Sequence, residues 1–221
     1  MLRVSVSALD NYRYFVENEM KTTTEYVSEL CRLAPRTDEM ARGEDFHLLM
    51  QTGESELYYW QVEVDAMLLK PDLFEHPCRQ MFKIGGEDVL LSGRIDAAHG
   101  DTIIDYKTTS STLNLEQYAD HMQWKAYLTL MSYMKKFRYE VFHIKQEKNN
   151  AKSFIVNEHK TLCLSAYDGM REQVIQALHE YVEFLHSLIA GQWIEINERG
   201  YAEAGVRYFG EAGWVSSHTA N

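Results

Sequence analysis

Three cysteines, Cys31, Cys78 and Cys163, are all that this chain of 221 residues contains, and no two of them form a C-x-x-C pair. An odd and scattered set excludes a disulfide framework and a cysteine zinc site, leaving reduced, buried thiols as the expectation. No apolar run approaches the roughly 20 residues of a membrane span, and Met1-Leu2-Arg3-Val4-Ser5 lacks a signal-peptide core. The expected location is therefore cytoplasmic, in a bacterial or phage-infected cell, or an equivalent reducing compartment. No G-x-x-x-x-G-K-[ST] sequence occurs, so no phosphate loop of an ATP motor is built in. Nor does a linker rich in Gly, Pro or Ser, or any repeat, divide the chain. One domain over residues 1–221 is expected, with a core over about 4–195 and a tail from 197 whose glycines and aromatics show no periodicity.

Positive charge is also scarce: 22 Lys and Arg stand against 33 Asp and Glu, a net charge of −11. Such a balance disfavours nucleic acid, whose binding is dominated by phosphate neutralisation. The deficit is uneven, however. Residues 107–160 carry nine basic side chains and five acidic ones. Lys125, Lys135, Lys136, Arg138, Lys145, Lys148 and Lys152 are candidates to line a backbone-tracking groove, with a solvated helix face the alternative for each of them.

What is present is 45% apolar residues and 12% aromatics, enough for a substantial core. Helices are predicted from Ser7 to about Glu19, from Glu25 to Leu33, and after a Thr37 cap, where Met40, Gly43, His47 and Met50 share a face. Strands are predicted near Glu63–Leu69, Arg79–Ile84, Val89–Ala97 and Thr102–Lys107, then Tyr139–Lys145 and Ser153–Asn157. Leu115 to Lys136 reads as helical. A long amphipathic helix from about Ala166 to Ala190 carries Val174, Leu178, Tyr181, Leu185 and Leu188, and Gly191 stops it.

The chemistry concentrates in Thr102-Ile103-Ile104-Asp105-Tyr106-Lys107. This run is apolar and β-branched before it turns charged, so a buried strand is predicted with Asp105 and Lys107 on one face. A carboxylate and an ammonium at that spacing can hold a divalent cation and a water-polarising charge beside one phosphate. If His99 and Gly100 form a two-residue loop, Asp96 pairs with Ile103, Arg94 pairs with Asp105, and Asp96 sits diagonally from Asp105 on the same face. A one-residue slip would send Asp96 to the opposite face.

Asp96, Asp105-Tyr106-Lys107 and Gln123-Trp124-Lys125-Ala126-Tyr127 resemble the G-x-x-D, D-x-K and Q-x-x-x-Y signatures of RecB-type nucleases in the PD-(D/E)XK superfamily. Gly43 to His47 fits the G-x-x-x-H pattern of that group, and Val4-Ser5-Val6-Ser7-Ala8-Leu9 resembles its lead-in to the first helix. The motifs run in order from about residue 4 to about residue 130. The resemblance implies a restriction-endonuclease-like α/β core, a central mixed β-sheet flanked by helices. Some RecB-type nucleases hold an iron-sulfur cluster on four cysteines, which this chain lacks.

The implied activity is in-line hydrolysis of DNA phosphodiesters with Mg²⁺ or Mn²⁺, by an exonuclease of phage-like recombination or DNA repair. His47, Asp96, Asp105 and the carbonyl of Tyr106 are the expected metal ligands, and Lys107 the water-polarising cation. Gln123 and Tyr127, one helical turn apart, would orient water or grip a phosphate. Gly43 would let its helix approach the sheet closely, and Glu63 and Glu75 are further candidate carboxylates. Trp60, Trp124 and Trp193 would be buried or stack on bases; His76, His99, His121 and His143 show no ligand spacing. DNA, single or double stranded, is the expected partner, with room for a homo-oligomer or a recombination partner protein. A structure-specific endonuclease on the same fold and a non-catalytic DNA-binding adaptor are the alternatives.

Overall fold

A computed structural model describes residues 1–17, 21–62 and 70–211. In chain order its elements are β1 (Leu2–Ser5), α1 (Val6–Glu17), α2 (Thr23–Leu30), α3 (Asp38–Thr52), β2 (Tyr59–Val62), β3 (Leu73–Ile84), β4 (Glu87–His99) and β5 (Thr102–Thr109). There follow α4 (Glu116–Ala119), α5 (Met122–Leu130), β6 (Lys136–Glu147), β7 (Asn150–Ser165), α6 (Met170–Ala190), β8 (Ile194–Ile196), β9 (Ala202–Ala204) and α7 (Val206–Glu211). The larger sheet is mixed and seven-stranded, in the order β1-β4-β5-β6-β7-β2 with β3 on β4, and helices flank it. No described helix is long and apolar enough to cross a membrane.

The chain forms two compact units, each built from separate stretches of sequence. The first takes residues 1–35, 79–92 and 171–221. In it β1 runs parallel to the start of β4, Leu2 opposite Val89 and Ser5 opposite Ser92. Tyr12, Tyr26, Tyr181 and Phe184, drawn from α1, α2 and α6, form an aromatic cluster. Helix α6 buries Val174, Leu178, Tyr181, Leu185 and Leu188, one apolar stripe at helical period. It ends at Gly191, where a Cβ would lie 3.1 Å from the Trp193 ring.

The second unit, residues 36–78 and 93–170, holds the chemistry predicted above. Helix α3 begins as predicted: the Thr37 hydroxyl accepts the Met40 N–H, Asp38 and Glu39 face the positive end of the dipole, and Gly53 closes the helix at φ +80°. Strands β4 and β5 pair antiparallel, Ala97 opposite Ile104 and His99 opposite Thr102. The parallel step from β5 to β6 needs a crossover, which α4 and α5 supply. Phe46 of α3 packs with Ala97, Ile104, Tyr106, Phe142 and Ile144, while Tyr127 of α5 stacks on Phe137. The two helices thus meet opposite faces of β5 and β6.

Several predictions from sequence need correction. The first cap is Ser5, whose hydroxyl accepts the Ala8 N–H, and the capping box belongs to Thr22 and Glu25. Strands β1 and β2 were not predicted, because each has only four residues, too few for a periodic signal. Leu115–Lys136 is two helices and the start of a strand, and the apparently aperiodic tail contains β9 and α7. The predicted strand Glu63–Leu69 lies outside the described residues.

Candidate functional site

The β4–β5 turn uses Gly100 and Asp101, one residue later than predicted, with Gly100 at φ +56°. The pairing sum therefore moves by two, so that Ile103 stands opposite Ala98 instead of Asp96, and Arg94 loses its predicted place opposite Asp105. A shift of two preserves side-chain parity. Carried one step past Ala97 and Ile104, the register keeps Asp96 and Asp105 on one face.

Beyond Ala97 and Ile104 the backbone of Tyr106 bonds to side chains. Its N–H donates to Asp96 Oδ2 at 2.9 Å, and its carbonyl lies 2.7 Å from His47 Nε2. Both polar groups of one strand residue are thereby satisfied by candidate site residues. His47 Nδ1 lies 3.6 Å from Asp96 Oδ1. The ring thus bonds to the carbonyl and lies beside the carboxylate.

Glu75 joins this group. Among the described residues, one ligand atom each from His47, Glu75 and Asp96 lies within 4.8 Å of the others, an arrangement able to hold a metal ion. Glu75 sits in β3 at φ +49°, a left-handed conformation costing about 1–2 kcal/mol for a residue with a Cβ. Its carboxylate also lies 3.4 Å from Arg94. The backbone that turns Glu75 toward the site has no signature in sequence, which marked it only as a further carboxylate. Glu63 lies outside the described residues.

Asp105 is 4% exposed, and its two oxygens are divided. Oδ1 accepts from Gln123 Nε2 at 3.1 Å, while Lys107 Nζ sits 2.7 Å from Oδ2. Burial, and then the neighbouring Asp105 charge, push the Asp96 carboxyl from its ordinary 3.8 up to about 6, against the opposing pull of His47, Lys107 and the Tyr106 N–H. A buried carboxylate, Asp105, and a half-buried one, Asp96, with Lys107 close by lack one further positive charge. A divalent cation among His47, Glu75, Asp96 and the Tyr106 carbonyl would supply it, and the oxygen-rich donor set suits Mg²⁺ or Mn²⁺.

Tyr127 takes a different place from the one predicted. It is buried, and its hydroxyl donates to the Arg94 carbonyl at 2.7 Å, so it positions β4 instead of facing a substrate. Burial pushes its phenol well above the ordinary value. Gly43 is not a close-approach glycine either, since a Cβ there would meet nothing within 4 Å. Trp124 and Trp193 are buried. Trp60 donates its indole N–H to Asp45 at 2.9 Å.

Asp45 went unnoticed in the sequence. It is buried and also accepts the backbone N–H groups of Glu56, Leu57 and Tyr58. Burial would raise its carboxyl, but the bonds from Trp60 and the three amides more than offset that and leave it below the ordinary value.

The predicted basic groove is divided. Lys136 pairs with Thr102 at the start of β5, so it lies roughly 17 Å along the sheet from the level of Lys107. Arg138 is bound to the buried Glu140, which also holds His159 at 2.7 Å and Thr161 at 2.7 Å. Lys145, Lys148 and Lys152 lie at the other end, on the hairpin formed by β6 and β7.

The family model of the PD-(D/E)XK nuclease superfamily matches residues 53–199. Among solved structures, the crystal structure of SSO0001 aligns with a TM-score of 0.51 at 16% identity, covering 82% of this chain and 76% of that one. The crystal structure of LHK-Exo in complex with dAMP aligns with a TM-score of 0.44 at 11% identity, covering 85% of this chain and 90% of that one. No curated protein matches.

Proposed function

The chain belongs to the PD-(D/E)XK nuclease superfamily, and from that premise we propose that it is a metal-dependent deoxyribonuclease acting from strand ends, in phage-like recombination or DNA repair. The observation that carries the metal-dependent part is the cluster of His47, Glu75 and Asp96, one ligand atom of each within 4.8 Å of the others, beside the buried Asp105 carboxylate. The preference for ends rests on the likeness of the motif set to RecB-type nucleases.

His47, Glu75, Asp96 and the Tyr106 carbonyl would hold Mg²⁺ or Mn²⁺, with Asp105 as the adjoining carboxylate. The ion would supply Lewis-acid neutralisation of the phosphate charge. Lys107, held by Asp105, brings an ammonium to the reacting phosphate, where it stabilises negative charge that grows in the transition state. Gln123 keeps the Asp105 carboxylate turned toward Lys107. Tyr127 fixes the backbone of β4 two residues before Asp96.

The test compares end-labelled linear DNA with covalently closed circles, single and double stranded, with and without Mn²⁺, for the wild type and Lys107→Ala. Degradation of linear DNA, survival of circles, and dependence on both metal and Lys107 are expected. Efficient cutting of closed circles would replace the exonuclease reading with an endonuclease. Full cleavage in EDTA would refute metal dependence.

A further inference from the structure

Strand β5 ends at Thr109, opposite His143, but β6 continues to Glu147 and β7 returns from Asn150. The hairpin therefore overhangs the last residue of β5 by four residues, roughly 13 Å. On β6, Tyr139, Val141 and His143 stand opposite Asp105, Lys107 and Thr109. Alternation puts Lys145 on that same face, one step beyond His143.

A β-bulge lies at this point: His143 pairs with Glu158 and Ile144 with Val156, leaving Asn157 as the extra residue. With its amide nitrogen toward His143, Asn157 donates to Nδ1 at 2.6 Å and to the His143 carbonyl at 3.1 Å. Its oxygen then accepts from Lys145 Nζ at 3.3 Å. The bulge residue thus holds an imidazole and an ammonium side by side. With Nδ1 accepting, the neutral ring carries its proton on Nε2 as a donor. Lys148 and Lys152 are exposed nearby, and from His143 to Lys152 the single acid is Glu147. Glu158, opposite His143, is occupied by Lys160 at 3.0 Å.

We propose that this overhang is a grip for the nucleic-acid backbone, in which Lys145 and His143, positioned by Asn157, hold a phosphate beyond the scissile one. From the level of Lys107 to Lys145 is roughly 13 Å along the strand, about four nucleotides of B-form rise. The contacts are to phosphate and carry no base preference. The register of this grip to the scissile phosphate rests on the nuclease reading; the binding itself does not.

The experiment measures fluorescence anisotropy of labelled single-stranded DNA 12-mers and 12-base-pair duplexes in Ca²⁺ buffer across a salt series. Lys145→Gln should raise Kd about five- to tenfold at low salt and lower the slope of log K against log salt by about 0.7–0.9. Asn157→Ala keeps every charge, so it should raise Kd about two- to threefold with the slope unchanged. Lys135→Gln, near the opposite end of β5, should change neither quantity. Unchanged melting temperatures would exclude misfolding as the cause. A Lys145→Gln effect no larger than that of Lys135→Gln, or no binding of either DNA by the wild type, overturns the proposal. If the wild type cleaves no nucleic acid in Mn²⁺ while the Lys145 effect on affinity persists, the nuclease reading fails and the grip stands.

Discussion

Replacing Asp96 with Asn should make the metal-free protein more stable at neutral pH while abolishing its activity. A carboxyl whose folded-state pKa is raised binds its proton more tightly in the folded chain than in the unfolded one. Below about pH 4 both states are protonated and Asp96 contributes no penalty. Between the ordinary 3.8 and about 6 the unfolded chain ionises first, so the penalty grows with pH, and above about pH 6 it is complete. Two units correspond to roughly 3 kcal/mol. Asp96 shares its repulsion with Asp105 and its side chain is 16% exposed, so a gain of about 1–2 kcal/mol is the better expectation for Asn. Asn still accepts the Tyr106 N–H. For a chain of this length the gain is a rise in Tm of about 3–6 °C in EDTA at pH 7.5, shrinking to nothing near pH 4. With Mn²⁺ the order reverses, because only the wild type gains stability by binding the ion. A variant less stable than wild type in EDTA at pH 7.5, or a difference that does not shrink on acidification, would refute the account of Asp96 as a charge held at a cost.

Three further predictions address the neighbours. Lys107→Ala should lower kcat about a hundred- to thousandfold with near-native circular dichroism, since it removes a charge aimed at the reacting phosphate; turnover within tenfold of wild type would remove Lys107 from the chemistry. His47→Ala should raise the Mn²⁺ concentration for half-maximal activity about tenfold or more and affect DNA affinity less, whereas an unchanged metal titration would make His47 simply the hydrogen-bond partner of the Tyr106 carbonyl. Asp45→Ala strands three backbone N–H groups and the Trp60 indole, so urea denaturation should show a loss of about 3 kcal/mol; a loss under 1 kcal/mol would mean that the 56–58 loop finds other partners.

The sequence disclosed the local features of the site because its chemistry is written in short-range order. Two isoleucines before Asp105 announce a buried strand, period two puts Lys107 on the Asp105 face, and Thr37 announces the start of α3. Parity survived an error of one residue in the β4–β5 turn because that error moves the pairing sum by two. Glu75 was harder to read. Its backbone takes a φ of +49°, and an isolated glutamate in a strand sequence carries no mark of a positive φ. The basic groove was divided because net charge along a sequence ignores direction: Lys136 and Lys145 stand nine residues apart on one strand, β6, and so toward opposite ends of the sheet.

Composition and periodicity by themselves determined that this chain mixes helices with strands and that Asp105 and Lys107 share one face of a buried strand. They also determined the helix pattern of α6, because burial on one face requires an apolar stripe at that element's own period. Only the tertiary structure decided which groups meet. His47 and Gln123 reach the Asp105–Lys107 strand from opposite faces, Tyr127 turns inward to the Arg94 carbonyl, and Asn157 becomes the odd residue of a bulge. Each depends on contacts between residues far apart in the chain, and the alternation of a single strand or helix cannot specify those.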